Sequence, residues 1–195
     1  SGFINEMGFD TYQKILKEAI NELEQNEFKD LMLAEGKTPS YTIDTQVETD
    51  FEILFPNDYI NVTSERLQLY NELSNLETET DLAGFKAKLV DRFGPLPQPT
   101  IDLVRSVRLK WLAQKLGFEK ISIKKGKMLA YFVSNADSPY YQSGIFQHIL
   151  QKVQQTSCCV FKEKKVQNSE KLYLVFNDIH SVDAALEQLK NLQTK

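Results

Sequence analysis

The side chains of this 195-residue chain that bond-making chemistry would draw on are few: two histidines, two cysteines and scattered acids. His148 falls within a helical pattern and His180 at a helix start. Neither has a cysteine, an aspartate or a second histidine at a zinc-ligand spacing. Cys158 and Cys159 are adjacent, so on a strand they point to opposite faces, poorly placed to bond each other or share a metal. Asp50 and Glu52 share one face of a strand, but a carboxylate pair needs a cleft that holds substrate between its members. Lys125-Gly126-Lys127 has no glycine-rich lead-in, and the phosphate-loop, dinucleotide and nucleophile-elbow patterns are absent. The expectation is a chain without catalysis, metal or cofactor, and not a helicase motor, which needs a phosphate cradle and metal ligands.

The elements that would position these residues are legible from periodicity. Ser1 to Gly8 has none. Tyr12, Ile15, Leu16, Ala19, Ile20 and Leu23 recur at helical spacing from Phe9, and Phe28, Leu31, Met32 and Leu33 extend the pattern. Gln46 to Phe55 alternates Val47, Thr49, Phe51, Ile53 and Phe55 with Glu48, Asp50 and Glu52, a half-buried strand with an acidic outer face. Ser64 is the expected cap of a helix through Leu67, Tyr70 and Leu73. Thr78 to Asp81 opens the next helix, which places Leu82, Phe85, Leu89 and Phe93 on one face and Asp91 near solvent. Gly94 and Pro95 turn the corner into a long helix that Gly117 ends, with Trp111 in the core.

The last third repeats itself. Ile121 to Lys124 and Met128 to Val133 form a hairpin around Lys125-Gly126, followed by a helix from Tyr140 to Val153. Cys158 to Lys162 and Leu172 to Phe176 form a second hairpin, followed by a helix from Ile179 to Leu192 with Ser181 as its cap. The fold class is therefore α+β: N-terminal helices with one or more strands, then a ββα-ββα unit on one antiparallel sheet with both helices on one face.

Apolar residues make up 42% of the chain and charged residues 26%, an ordinary globular composition. Net charge is −4, unevenly spread. Residues 1–100 carry 19 acidic and 8 basic side chains, a net −11; residues 101–195 carry 8 and 15, a net +7. Such asymmetry fits two surfaces with different partners, or one half attracted to the other. Lys120, Lys124, Lys125, Lys127, Lys162, Lys164 and Lys165 fit protection of exposed strand edges or contact with nucleic acid. No run is long and apolar enough to cross a bilayer, there is no signal-peptide pattern, and two adjacent cysteines suit the cytoplasm.

Several ordered blocks resemble the C-terminal domain of bacterial transcription-repair coupling factors: GFDTYQKILKEAI (Gly8 to Ile20), PNDYINVTSERLQLYNEL (Pro56 to Leu73), LVDRFGPLP (Leu89 to Pro97) and RLKWLAQKLGF (Arg108 to Phe118). The resemblance implies a parent protein that is an ATP-driven DNA translocase, which displaces stalled RNA polymerase and recruits the damage-recognition subunit of the excision nuclease. It implies that residues 1–8 link to the preceding motor region and that 9–195 form a regulatory domain, with an acidic helical half (9–117) and a basic half (118–195). The domain would be non-catalytic and autoinhibitory. It would pack on the N-terminal repair-recruitment module of the same protein and mask the surface for the damage-recognition subunit; RNA polymerase and DNA would be indirect partners, and no membrane is involved. The alternative is a nucleic-acid-binding module using the lysine-rich half. The family's Glu-x-x-Asp before Arg-Phe-Gly suits contact with a basic partner; here Asp91 keeps the second place, Lys88 takes the first, and Arg92 follows. Either the partner surface has changed as well, or Asp91 and other acids carry the contact, with Arg92 pairing locally.

Overall fold

The computed structural model describes residues 41–42, 44–157, 159–166 and 169–193. The segment 1–8, the helix expected from Phe9 and Cys158 lie outside the described residues. The chain runs β1 (Gln46–Thr49), α1 (Thr63–Ser74), α2 (Glu79–Phe93), α3 (Gln98–Leu116), β2 (Phe118–Lys124) and β3 (Lys127–Phe132). A short 3-10 turn (Pro139–Gln142), α4 (Gly144–Gln155), β4 (Cys159–Val166), β5 (Ser169–Phe176) and α5 (Val182–Gln193) complete it.

The five strands form one sheet in the order β1-β2-β3-β5-β4. The α+β class and the ββα-ββα order hold. The second strands of the two units, β3 and β5, pair antiparallel at the centre, Met128 opposite Phe176 and Tyr131 opposite Tyr173. The sheet is mixed rather than wholly antiparallel, because β1 joins β2 in parallel register, Val47 opposite Ile121. Parallel neighbours need a long crossover; here the whole helical hairpin α1–α2 and α3 supply it.

Two cores form. The larger gathers Ile121, Ile123, Met128, Ala130, Phe132, Leu174 and Phe176 from one face of the sheet against the second half of α3 and against α4 and α5. The smaller holds Phe55, Ile60, Leu69, Leu73, Leu82, Phe85 and Leu89 against Leu103 and Val104 of α3. Helix α3 belongs to both: Leu103, Val104, Val107 and Trp111 face the smaller core, and Leu109, Leu112, Ala113 and Leu116 the larger.

Local chemistry corrects four expected boundaries. The strand expected to reach Phe55 stops at Thr49, whose hydroxyl accepts the Phe51 amide at 3.0 Å and turns the chain. The apolar alternation beyond it serves two destinations: Phe51 packs on the larger core and Phe55 is buried in the smaller. Ser64 is not the cap of α1. Val62 holds that place without a side-chain bond, while the Arg66 guanidinium donates to Ile60 O at 2.6 Å and to Thr63 Oγ1 at 3.2 Å. The helix expected from Tyr140 is broken at Ser143, which caps α4 by accepting from the Phe146 amide at 3.3 Å. The second hairpin is longer than expected, its strands reaching Val166 and starting at Ser169.

Other signals hold as read. Thr78 caps α2 by accepting from the Asp81 amide at 3.1 Å. Lys125 and Gly126 both have positive φ, 53° and 72°, the geometry of a tight two-residue hairpin turn. Ser181 caps α5 by accepting from the Ala184 amide at 3.0 Å. Gly117 ends α3 at φ 83° in the left-handed region. It is needed twice over, because a Cβ there would lie 2.1 Å from the Tyr140 ring. That ring is fully buried and its hydroxyl donates to Leu116 O at 2.6 Å, so burial pushes the phenol well above its ordinary range.

Gly117→Ala should therefore lower unfolding free energy by about 3 kcal/mol or more, combining left-handed strain with overpacking. Gly84→Ala, in mid-α2 with nothing near its would-be Cβ, should raise it by about 0.5–1 kcal/mol. Urea unfolding of both variants checks the opposite signs.

Candidate functional site

The residues singled out from sequence, Lys88, Asp91 and Arg92, lie on the last turns of α2, and the corner after it fixes where they point. Gly94 leaves the helix at φ 83° and its amide donates to Val90 O at 2.9 Å. The Tyr59 hydroxyl reaches Gly94 O at 3.0 Å and Leu89 O at 3.3 Å, one proton between two acceptors. Its ring meets Phe93 edge-on at 5.8 Å, and burial raises the phenol above its ordinary value. The Asp58-Tyr59-Ile60 block thus clamps the Arg-Phe-Gly corner.

Helix α1 runs back along α2, and two cross-helix ion pairs join them: Lys88 with Glu72, and Arg92 with Glu65. Each cation also lies near a ring of its own helix, Lys88 at 5.8 Å from Phe85 and Arg92 at 4.9 Å from Phe93. Asp91 has no such tie. It is exposed and makes no hydrogen bond or ion pair among the described residues. The structure thus separates the three: two hold the hairpin together, and one faces solvent.

Asp91 continues an exposed stripe of small residues, Thr80, Gly84 and Ala87, at the spacing of one helix face. An open cleft of about 500 Å³ runs beside it, with Glu72, Glu77, Asp81 and Lys88 among its lining. Among the described residues, three of the four exposed large apolar side chains are on or next to this hairpin: Val62, Leu67 and Val90. A flat, acid-rimmed face with apolar points suits a protein partner. Among the described residues no cluster of His, Cys, Asp or Glu could hold a metal, and no helix is long and apolar enough to cross a membrane.

The acidic strand is engaged elsewhere. Glu48 accepts from Lys120 at 2.7 Å and Lys124 at 3.4 Å, and Asp50 accepts from the Lys125 amide at 2.8 Å. Those lysines hold the Glu48 carboxyl below its ordinary range. Of the two readings of the charge asymmetry, attraction between the halves accounts for these acids.

Sequence reading placed Tyr70 and Trp111 on helices but missed the polar bonds that position the hairpin. The Tyr70 hydroxyl accepts from the Phe55 amide at 2.8 Å, buried Thr100 donates to Leu54 O at 3.2 Å, and Trp111 Nε1 donates to Leu76 O at 3.2 Å. Arg108 grips Glu79 through Nε and Nη2, both at 2.7 Å, and joins α3 to the start of α2. The one available signal was a polar tip on a side chain within an apolar row.

Residues 49–143 match the TRCF domain family. The transcription-repair-coupling factor of Escherichia coli (strain K12) is 32% identical over 152 residues, 75% of this chain and 12% of that protein. That of Haemophilus influenzae is 32% identical over 125 residues, 62% of this chain and 10% of that protein. The chain therefore spans about a tenth of the length of these relatives. A crystal structure of the C-terminal domain of a transcription-repair coupling factor shares the fold at TM-score 0.56 and 14% identity, over 77% of this chain and 93% of that one.

Tyr59→Phe should cost about 1–2 kcal/mol, because it strips a bond from two partly buried carbonyls. A shift in urea midpoint without a change of slope checks it. Arg108 hydrogen bonds, then its charge, hold the Glu79 carboxyl below its ordinary 4.5. The pair's stabilisation is present above that value and lost as pH falls through the lowered one. Both groups are well exposed, so Glu79→Gln should cost less than about 1 kcal/mol at neutral pH. The gap to the parent should close in acid, as read by thermal melts across pH.

Proposed function

This chain carries the TRCF domain of transcription-repair coupling factors, and we propose that it is a non-catalytic, autoinhibitory docking domain of an ATP-dependent DNA translocase that couples transcription to excision repair. In this reading residues 1–8 link to the motor and 9–195 form the domain. The exposed face of α2 packs on the N-terminal repair-recruitment module of the same protein and covers the surface for the damage-recognition subunit. RNA polymerase and DNA act on the equilibrium from elsewhere, by favouring the released state.

One observation carries the reading: in the block shared with the family, Asp91 is exposed without an internal partner, whereas Lys88 and Arg92 are tied to α1. An unpaired carboxylate beside small residues lets a basic partner approach closely, and no internal ion pair has to break first. Lys88 and Arg92 contribute to docking by fixing the angle of α2, with Glu72 and Glu65 as their counterweights. The small-residue face and the exposed Val90 supply apolar contact at its rim.

Titration calorimetry of the chain against the N-terminal module tests this. Asp91→Ala should weaken docking by about 1–3 kcal/mol, and Lys88→Ala by less. Unchanged affinity in Asp91→Ala would remove that residue from the interface; absence of any affinity in the parent chain would remove the docking reading.

A further inference from the structure

The sheet has a second face that neither core uses. Cross-strand register lines up one row on it: Lys120 of β2, Tyr131 of β3, Tyr173 of β5 and Lys162 of β4. The next row holds Ser122, Leu129, Val175 and Val160. Leu129, Tyr131, Tyr173 and Val175 belong to neither core, and Val160 is 54% exposed. The two tyrosine rings lie 5.1 Å apart at 32°. Lys124 opposes Lys127 at one end of the face and Lys164 opposes Lys171 at the other. Glu48 on β1 answers Lys120 and Lys124. Lys127, Lys162, Lys164 and Lys171 are exposed and have no carboxylate partner among the described residues.

Edge protection explains lysines on β4, which is an edge strand. It does not explain an aromatic pair on the two central strands with cations on every side. We propose that this face binds single-stranded nucleic acid, with bases stacked on Tyr131 and Tyr173 and the backbone held by Lys127, Lys162, Lys164 and Lys171. Flat apolar rings joined by anions match both halves of the surface. Stacking on aromatic side chains is sequence-tolerant, and lysines neutralise the phosphates. The lysines of the tyrosine row are three strand spacings apart, about 14 Å, which leaves room for one base over each ring. A duplex keeps its bases within its own stack and reaches only the lysines. The face is distinct from α2, so the inference stands or falls apart from the docking reading.

Fluorescence anisotropy of a labelled oligothymidylate with the full chain at low salt is the test. Expected are binding that weakens as salt rises, weaker binding of a duplex of equal length, and a loss of roughly tenfold or more in the Tyr131→Ala/Tyr173→Ala variant. The Tyr131→Phe/Tyr173→Phe variant should retain binding, and Lys162→Gln, on the exposed edge, should flatten the salt dependence. Asp91→Ala should leave binding unchanged. No binding at low salt overturns the proposal. So does binding that the alanine pair leaves intact, whether duplex competes equally (a bare electrostatic surface) or polyglutamate displaces the strand (a surface for acidic protein).

Discussion

One helix carries the mechanical continuity of this molecule. Helix α3 gives its first turns to the small helical core and its last turns to the sheet core. At 1.5 Å per residue its 19 residues span roughly 28 Å. Neither core is complete without it. Arg105 adds a link from α3 to Asp183 of α5 at 3.0 Å, and Arg108 a link to α2. A displacement of the α1–α2 hairpin is therefore felt by the sheet through a rod rather than through a loop, and the face that bears Asp91 is held in a fixed relation to the sheet.

Charge does a different job in each half. In the hairpin, Lys88 and Arg92 are matched by Glu72 and Glu65; at the sheet edge, Glu48 and Asp50 are matched by the β2–β3 turn. The hairpin pairs lie within the acidic half; across the halves, Glu48 with Lys120 and Lys124, Asp44 with Lys110 and Glu79 with Arg108 bring opposite charges together inside the fold. Asp91 on α2 and the lysines over Tyr131 and Tyr173 remain facing solvent with opposite signs. The two proposed surfaces would then select their partners by opposite charge.

How much of this was legible in the sequence follows from the range of each interaction. Caps and turns are local, so Thr78, Gly94, Lys125-Gly126, Gly117 and Ser181 were readable from neighbours alone. The exposure of Asp91 followed from its place off the apolar face. The end of β1 was not readable, because Val47 to Phe55 alternates without a break and only the positions of two separate cores decide where pairing stops. Nor was the parallel pairing of β1, which joins residues more than seventy apart. The clamp of Tyr59 on the corner was not readable beyond the family resemblance of its block: its spacing carries no periodic signal, since a hydroxyl reaching a distant carbonyl leaves none. The aromatic row needed strand register, which hydrophobic alternation cannot supply across strands.

The parallel strand has a temporal consequence. Glu48 and its partner Lys120 are 72 residues apart. A ribosome adding about 5–20 residues per second leaves β1 unmatched for several seconds. In that interval α1, α2 and the first half of α3 have emerged and can collapse on Phe55 and Leu82, whereas the sheet has no central strands at all. The order of emergence thus lets the helical hairpin form before the sheet can, with the short β1 segment still unpaired. Shortness and negative charge are what keep such a waiting strand from pairing with the wrong neighbour.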